Sequence, residues 1–376
     1  MRKIQMVDLH SQYEKIKSEI DEAISDVIKS TAFIKGVKVG EFASEFASYL
    51  DVKHVIPCGN GTDALQIAIM SLGLKPSDEI ICPDFTFIAS AEVIGLLGYR
   101  PVFVDVDYDS FNVTAKNIEQ AISIKTKAII PVHLFGQAAP MEAILEIAKK
   151  YDLYVIEDTA QAIGADYIFS DGRKQKLGTI GTIGCTSFFP SKNLGCYGDG
   201  GALFTDDDEL AERLKMIANH GMKVRYHHDI LGVNSRLDTI QAAILSKKLK
   251  YLDRYEQTRQ EAAKKYDEAF ENIDDLVIPK KETFSTHVYH QYTLKVKDGK
   301  RDDLRAFLEQ NDIPSMIYYP VPLHKQKAFL PIARQGGALN ISEMLAEQVL
   351  SLPMHTELDE EQQTYIINKV REFFNK

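Results

Sequence analysis

The chain has 376 residues, which is too long for one simple core and predicts two or three lobes. Hydrophobic residues make up 45% and charged residues 26% of it, a balance typical of a core-rich globular protein. The formal net charge of -10 argues against a general binder of nucleic acids or of anionic membrane surfaces, while it permits local basic pockets.

The cysteines and the N-terminal residues show no sign of a metal site or of a targeting segment. The four cysteines form no CxxC pair and have no metal-like spacing, and we expect Cys58 and Cys82 to be buried thiols. Residues 1–8 lack an apolar signal core, and no uncharged apolar run approaches the roughly 18 residues that span a membrane. We therefore expect a cytoplasmic protein with no metal site and no membrane partner.

Helical and strand-like segments follow one another in a regular order. Apolar residues at helical spacing between residues 13 and 27 predict an amphipathic N-terminal helix. From residue 54 to about residue 205, helical segments separate short β-rich runs at residues 54–57, 79–82, 101–105, 128–132, 153–158 and 202–205. This alternation predicts an α/β fold in which helices cover both faces of a mainly parallel sheet.

The C-terminal third is predicted to form a smaller α+β domain. A long amphipathic helix begins at Asp238 and extends to about Leu252, and residues 291–296 form a strand. We place the domain boundary at residue 250. Residues 1–250 then form the N-terminal helix and the large domain, and residues 251–376 form the small domain.

Lys192 is the most informative residue of the chain. It lies in a turn rich in glycine and serine between two strand-like segments, and glycines let the backbone approach a flat ring and a phosphate closely. Thirty-four positions upstream, Asp158 ends an apolar strand, where ligands of parallel sheets bind. Pyridoxal phosphate needs both groups: an anion beside its pyridinium nitrogen and an amine that forms a Schiff base. A solvated loop lysine is the alternative interpretation.

Four small residues are candidates for phosphate or substrate contacts. Gly61 and Thr62 open a helix after a short strand, and a helix N-terminus attracts anions. A plain helix cap explains them when they are considered alone, but pyridoxal phosphate needs one phosphate site in this sheet. Ser187 and Ser191 flank the lysine turn and either bind phosphate or substrate or act only as turn residues.

Two further side chains can contact the pyridine ring. Phe87 follows a strand and can stack on the ring face, whereas its neighbour Phe85 is expected in the core. Gln161 lies just beyond Asp158 and can donate a hydrogen bond to the phenolic oxygen of the ring. Taken alone, Asp158 is equally well explained as a helix cap.

Two later segments can bind the substrate. Arg236 follows a basic loop, and its planar guanidinium can hold a carboxylate or a phosphate with two hydrogen bonds. Residues 318–324 form a rigid segment, Tyr-Tyr-Pro-Val-Pro-Leu-His, whose polar ends suit a sugar pocket. A packed aromatic turn explains the second segment almost as well.

The order and joint presence of these motifs resemble the pyridoxal-phosphate-dependent sugar aminotransferases of the DegT/StrS type. The match covers nearly the full length and includes residues 60–65, 85–87, 131–136, 157–161, 187–192, 198–201, 232–236 and 322–324. The resemblance implies the aspartate-aminotransferase fold, a three-layer α/β/α arrangement with a mainly parallel sheet and a smaller C-terminal α+β domain.

The resemblance also implies a role for each cofactor-binding residue. Lys192 is the Schiff-base lysine and the catalytic acid–base, and Asp158 is the partner of the pyridine nitrogen. The other cofactor contacts that it implies are Gln161 near the ring oxygen, Phe87 on the ring face, and Gly61, Thr62 and Ser187 at the phosphate. Asn234 reaches the phosphate of the neighbouring subunit, which implies a homodimer with shared active sites.

The segments around Lys192 and before Arg236 are most similar to one subgroup of this family. Those enzymes aminate C3 of UDP-2-acetamido-2-deoxy-3-oxo-glucuronic acid in the synthesis of surface polysaccharides such as the lipopolysaccharide O-antigen, with L-glutamate as the expected amino donor. The substrate-binding residues implied are Thr31, Ser191, Arg236, Tyr318, Tyr319 and His324. Thr31 stands where the subgroup has a glycine and Tyr318 where it has a histidine, so the exact sugar stays open.

Several other functions remain as alternatives. The substrate can be another keto sugar, such as a dTDP-linked 3-oxo or 4-oxo-6-deoxyhexose. A sugar dehydratase of the same fold is disfavoured because such relatives have a histidine in place of the lysine, and this chain has Lys192. A cofactor-binding regulator without activity is also disfavoured, since no helix-turn-helix with a basic face stands out.

Overall fold

The computed structural model describes residues 1–375 of the chain. Within them the helices are α1 (Leu9–Ser30), α2 (Val37–Leu50), α3 (Gly61–Ser71), α4 (Ala89–Leu96), α5 (Ala115–Ala121), α6 (Met141–Tyr151), α7 (Asp208–Ile217), α8 (Thr239–Leu249), α9 (Leu252–Phe270), α10 (Arg301–Gln310), α11 (Asn340–Gln348) and α12 (Glu360–Phe374). The strands are β1 (His54–Cys58), β2 (Glu79–Pro83), β3 (Arg100–Val104), β4 (Thr126–Ile129), β5 (Tyr154–Asp158), β6 (Asp166–Ile168), β7 (Lys174–Lys176), β8 (Ile183–Ser187), β9 (Gly201–Thr205), β10 (Met222–Val224), β11 (His227–His228), β12 (Leu276–Val277), β13 (Tyr292–Val296), β14 (Arg334–Gln335) and β15 (Val349–Leu352).

An eight-stranded sheet forms the centre of the fold, with the strand order β1-β9-β8-β5-β4-β2-β3-β14. All neighbouring strands from β8 to β14 are parallel, and β9 alone runs antiparallel to its two neighbours. The predicted α/β fold with a mainly parallel sheet is therefore confirmed.

Apolar clusters on the two faces of the sheet explain the three layers. Successive strand residues point to opposite faces, so Ile81 belongs to one cluster while Ile80 and Cys82 belong to the other. The first cluster includes residues of α5 and α6, and the second includes residues of α3, α4 and α7. The near-continuous apolar strands of the sequence follow from this burial on both faces.

The register of the parallel strands brings several chain segments to one edge of the sheet. Asp158, the last residue of β5, lies opposite Cys185 of β8, and β8 ends two residues later at Ser187. The antiparallel strand β9 begins at the same edge with Gly201, which lies opposite both Ser187 and Cys58. The Lys192 turn, which links β8 to β9, is therefore confined to this edge.

The prediction of a single long helix that begins at Asp238 is wrong about its continuity. The structure contains two helices there, α8 and α9, separated by Lys250 and Tyr251. Tyr251 has φ -103° and ψ -3°, outside regular helical geometry. The helices separate because α8 packs against α1 and α2, whereas α9 packs against α12.

The C-terminal residues form a second, smaller packing unit. The antiparallel sheet β12-β13-β15 and helices α9, α10 and α12 share an apolar cluster, and β13 confirms the predicted strand at residues 291–296. Ile4, at the N-terminus, packs in the same cluster, and β14 returns to the central sheet beside β3. We keep residue 250 as the proposed boundary, with these two segments crossing it.

The remaining general features are simple. All four cysteines are free and buried, and burial raises the pKa of each thiol. Within residues 1–375, no helix combines the length and the apolar character that crossing a membrane requires.

A buried carboxyl group on α9 makes the stability of the fold depend on pH. Glu256 is 8% exposed, and its Oε1 has no hydrogen-bond partner among the described residues. Burial raises its pKa from 4.5 to about 8, with Lys176 opposing the shift. Between these two pH values the folded chain keeps a proton that the unfolded chain releases, so Glu256 lowers the stability as the pH rises.

We expect Glu256→Gln to be more stable than the parent chain by about 3 kcal/mol at pH 7, because the amide has the same shape and no charge. The gain should disappear below about pH 4.5, where Glu256 is protonated in both states. Urea unfolding at several pH values measures it, with the exposed Glu261→Gln on the same helix as the control. A gain that does not change with pH would contradict the assignment.

Candidate active site

A cavity of about 780 Å³ opens where the Lys192 turn, the ends of β5 and β8, and the start of α3 meet. Ten of the residues predicted from the sequence line it: Gly61, Thr62, Phe87, Asp158, Gln161, Ser187, Ser191, Lys192, Tyr318 and Tyr319. These residues come from segments that span about 260 positions of the chain, and the parallel sheet brings them together.

The start of α3 forms one wall of the cavity. Asn60 caps the helix, since its side chain accepts a hydrogen bond of 2.8 Å from the backbone N–H of Asp63. Gly61 and Thr62 follow as the first helical residues, whose N–H groups have no acceptor within the helix. The helix cap and an anion site are therefore compatible. Asn60 provides the cap, and Gly61 and Thr62 provide N–H donors for an anion.

Two glycines allow backbone segments to meet closely at this wall. A Cβ atom on Gly61 would lie 2.7 Å from the Cβ of Ser187. A Cβ atom on Gly201 would overlap the carbonyl group of Asn60 and lie 2.9 Å from the nitrogen of Gly61. The start of β9 therefore supports the backbone of the anion site directly, with no room for a side chain between them.

Asp158 lies on the floor of the cavity and is 6% exposed. Its Oδ2 accepts a hydrogen bond of 2.8 Å from the hydroxyl of Ser90, and its Oδ1 accepts one of 3.1 Å from the backbone N–H of Ala160. Both carboxylate oxygens therefore have a donor within the protein, which restricts the side chain to one orientation.

Lys192 lines the same cavity with a half-buried side chain. Burial lowers the pKa of its amine to about 8, while the negative charge of Asp158 opposes this shift. Within residues 1–375 the amine makes no hydrogen bond, although its backbone N–H closes a turn with the carbonyl of Phe189. The amine is therefore free to react and loses its proton much nearer to neutral pH than an exposed lysine does.

Aromatic and amide groups border the opposite side. Gln161 donates a hydrogen bond of 3.0 Å to the hydroxyl of Tyr319 and accepts one of 2.8 Å from the backbone of Phe135. Phe87 stays 53% exposed, and its ring centre lies 6.2 Å from that of Tyr319. Phe85 is 1% exposed, as expected of a core residue.

His290 and Gln291 are among the cavity-lining residues that the sequence did not single out. His290 is 5% exposed, and burial, with Lys192 and Arg259 nearby, holds its pKa well below the usual value, so the ring is neutral at neutral pH. The available signal was a pair of polar residues directly before the buried strand β13. The alternation of residues 291–296 predicted only a strand there.

Four of the predicted site residues lie outside this cavity. Thr31 is exposed at the end of α1, and Asn234 is exposed beside Asn219. Arg236 lines a separate groove of about 350 Å³ that also includes Lys35. His324 is held between two carboxylates, with its Nδ1 2.7 Å from Asp84 and its Nε2 3.1 Å from Glu343. The roles expected for these four residues remain predictions.

The groups in the cavity fit pyridoxal phosphate. The start of α3 offers backbone donors in a glycine-lined recess for a phosphate, and Lys192 offers a reactive amine. Asp158 offers an oriented carboxylate, and Phe87 offers an exposed ring. Each part of the cofactor therefore has a partner of suitable chemistry.

Comparison with known proteins supports this assignment. The model of the DegT/DnrJ/EryC1/StrS aminotransferase family matches residues 14–371. The chain belongs to this family. It is therefore an aminotransferase and uses pyridoxal phosphate.

Curated relatives within this family carry different names. The chain is 48% identical to the "pleiotropic regulatory protein" of Geobacillus stearothermophilus, over 99% of this chain and 98% of the relative. It is 45% identical to the UDP-2-acetamido-2-deoxy-3-oxo-D-glucuronate aminotransferase of Pseudomonas aeruginosa, over 95% and 96%. It is 38% identical to the dTDP-3-amino-3,4,6-trideoxy-alpha-D-glucose transaminase of Streptomyces venezuelae, over 99% of this chain and 96% of that relative.

Solved structures of aminotransferases share the fold. A DegT/DnrJ/EryC1/StrS aminotransferase from Brucella abortus superposes with a TM-score of 0.94 at 42% identity, covering 99% of this chain and 100% of that one. DesV of S. venezuelae, in complex with a ketimine intermediate, gives 0.95 at 37% identity, with full coverage of both chains. NtdA of Bacillus subtilis, with bound cofactor PMP, superposes with a TM-score of 0.88 at 30% identity, covering 99% of this chain and 83% of that one.

We expect Gly201→Ala to weaken the binding of pyridoxal phosphate, because the added methyl group displaces the backbone of Asn60 and Gly61. Overpacking of this kind costs about 1–3 kcal/mol. Gly40→Ala is the matched control, since that glycine is exposed in α2 and a Cβ atom there meets nothing within 4 Å. Absorbance titration with the cofactor compares the two variants. Equal dissociation constants would show that the close approach does not shape the phosphate site.

Proposed function

We propose that this family member transfers an amino group from L-glutamate to C3 of UDP-2-acetamido-2-deoxy-3-oxo-glucuronate, in the synthesis of a surface polysaccharide. The observation that carries the proposal is one cavity that combines Lys192, Asp158 and the start of α3. The Pseudomonas relative named for this substrate, similar over nearly all of both chains, supports the choice of sugar. A dTDP-linked keto sugar is the second candidate, because relatives with that specificity also match the whole chain.

Each cavity residue has a separate task in this proposal. The N–H groups at Gly61 and Thr62 and the hydroxyl of Ser187 would bind the phosphate. Asp158 would hold a proton on the pyridine nitrogen, and Phe87 would cover the ring face. Pyridoxal phosphate, when bound, supplies the electron-accepting ring that makes the α-carbon of the amino donor acidic.

Lys192 moves the protons. Because the pKa of its amine is lowered to about 8, roughly a tenth of the population is neutral at pH 7, far more than for an exposed lysine, and can take a proton from the α-carbon of glutamate. The same nitrogen returns the proton in each half of the reaction. The keto sugar enters after the keto acid has left, so the two substrates use the same cavity in turn.

Two of the four predicted residues that lie outside the cavity, Asn234 and Arg236, support a homodimer with shared active sites. Apolar side chains are exposed in the adjoining segments 33–37 and 224–231: Phe33, Ile34, Val37, Val224, Tyr226 and Leu231. The segments lie near each other, because Lys35 of the first segment and Met222 and Lys223, just before the second, line the same groove. Exposed apolar side chains grouped in this way are typical of an interface, and in this proposal a second copy bound there lets Arg236 reach a substrate carboxylate.

The alternative functions disagree with the chemistry of the cavity. A regulator that only binds the cofactor has no need of an unpaired amine whose pKa is lowered to about 8. A dehydratase of this fold requires a histidine in place of Lys192. Such a regulator would stay yellow after addition of glutamate, whereas the proposed enzyme, loaded with pyridoxal phosphate, would lose its yellow colour.

Borohydride reduction of the cofactor-loaded protein should attach the label to Lys192. Lys248 is an internal control, because burial lowers its pKa to about 8 as well, yet its Nζ donates to the carbonyl of Gly195 outside the cavity. Lys192→Ala should bind the cofactor and lose about 10²–10⁴-fold in turnover. Peptide mapping that finds the label on Lys248 or on another lysine would overturn the assignment.

Arg236→Gln should raise the KM for a UDP-3-oxo-uronate by about tenfold or more, because the substrate carboxylate loses a charged partner. The KM for the matching 3-oxo sugar without a carboxylate should stay unchanged. Steady-state assays with a panel of UDP- and dTDP-linked keto sugars measure both values, with the exposed Arg305→Gln as the control. Faster turnover of a dTDP sugar, with no preference for the carboxylate, would favour the second candidate.

A further inference from the structure

Ser90 is a buried polar residue for which the proposed mechanism has no role. It lies in the first turn of α4 and is 1% exposed. Its hydroxyl donates the 2.8 Å hydrogen bond to Oδ2 of Asp158, across 68 positions of sequence. It is therefore the only side chain among residues 1–375 that donates a hydrogen bond to this carboxylate.

The backbone of Ser90 contacts the ring-binding turn at the same time. Its N–H donates a long hydrogen bond of 3.4 Å to the carbonyl of Phe87. The hydroxyl of Thr86 lies 3.5 Å from the Ser90 hydroxyl, at the limit of a hydrogen bond. Ser90 thus connects the turn that carries Phe87 to the carboxylate at the end of β5.

We infer that Ser90 is a positioning residue that orients Asp158 toward the pyridine nitrogen and thereby keeps that nitrogen protonated. The inference rests on the role proposed above for Asp158. The two donors to the carboxylate come from different elements: Ala160 follows β5 directly, while Ser90 reaches across from α4. Together they fix the rotation of the carboxylate plane, which Ala160 alone leaves free.

Burial makes the contribution of Ser90 large. Asp158 is 6% exposed and Ser90 is 1% exposed, so water cannot readily replace a missing hydroxyl. Removal of a hydrogen bond to a buried charged group changes an equilibrium by about tenfold or more. That loss should appear in the bound cofactor, because the proton on its ring nitrogen depends on the position of the carboxylate.

Other buried serines of the chain bond differently and provide a matched control. The hydroxyl of Ser351, a fully buried residue, pairs at 2.8 Å with that of Thr293 in the C-terminal sheet. Removal of that hydroxyl should affect stability alone. Ser90→Ala and Ser351→Ala therefore delete comparable groups, one beside the cavity and one remote from it.

The test compares the cofactor-loaded full chain with Ser90→Ala, Ser90→Thr and Ser351→Ala. Two readouts are the dissociation constant for pyridoxal phosphate and the pH midpoint at which the absorbance of the bound cofactor changes. Ser90→Ala should raise the dissociation constant for pyridoxal phosphate about tenfold and move the pH midpoint upward by about one unit. Ser90→Thr, which keeps the hydroxyl, should restore both values, and Ser351→Ala should leave both unchanged.

The outcomes separate this inference from the proposed function. Asp158→Asn tests the role of the carboxylate itself, so an unchanged pH midpoint in that variant would refute the proposed site. A changed midpoint in Asp158→Asn with unchanged values in Ser90→Ala would overturn only the role of Ser90. If Ser90→Ala fails to fold, Ser90→Cys replaces it, and parent-like values in that variant would likewise overturn the inference.

Discussion

The central physical constraint of this structure is the placement of the half-buried Lys192 amine where the charge of the buried Asp158 carboxylate acts on it. Burial disfavours the charged amine, and the nearby negative charge favours it, so the pKa settles at about 8. Both groups must therefore be held at one edge of the sheet. The parallel pairing of β5 with β8 and the reversed direction of β9 provide this arrangement, because they bring the lysine turn and the end of β5 to the same edge of the sheet.

The main features of the fold and of the cavity follow from local sequence signals. Apolar runs that end in a polar residue predicted the strands and the edge to which Asp158 belongs. The glycines around Lys192 were expected to let the backbone approach a ring and a phosphate, and the close approach of Gly201 to the backbone of Asn60 was not predicted. The break between α8 and α9 was missed because it arises from different packing partners and not from proline or glycine. The hydrophobic periodicity of the sequence continues through this break, so the periodicity does not indicate where one helix ends and the next begins.

Contacts between distant positions explain the rest of what the sequence did not predict. Ser90 contacts Asp158 over 68 positions, and His324 contacts Asp84 over 240. His324 shows the consequence most directly: a histidine between prolines and a basic residue suits a substrate pocket, yet two carboxylates occupy both ring nitrogens. A motif identifies which residues act together. Whether their donors and acceptors are free to bind a ligand depends on neighbours that are distant in the sequence and meet only in the folded chain.

Lys192 and Lys248 show why a shifted pKa alone does not identify a catalytic group. Burial lowers the pKa of each to about 8. The amine of Lys248 donates to the carbonyl of Gly195, and Leu194 and Cys196 on either side pack against Phe42 and Phe46 of α2. These contacts stabilise the lysine turn on the side away from the cavity and leave the Lys192 amine without a hydrogen bond in the cavity. One buried lysine thus supports the loop that presents the other, and reactivity belongs to the amine without a hydrogen bond.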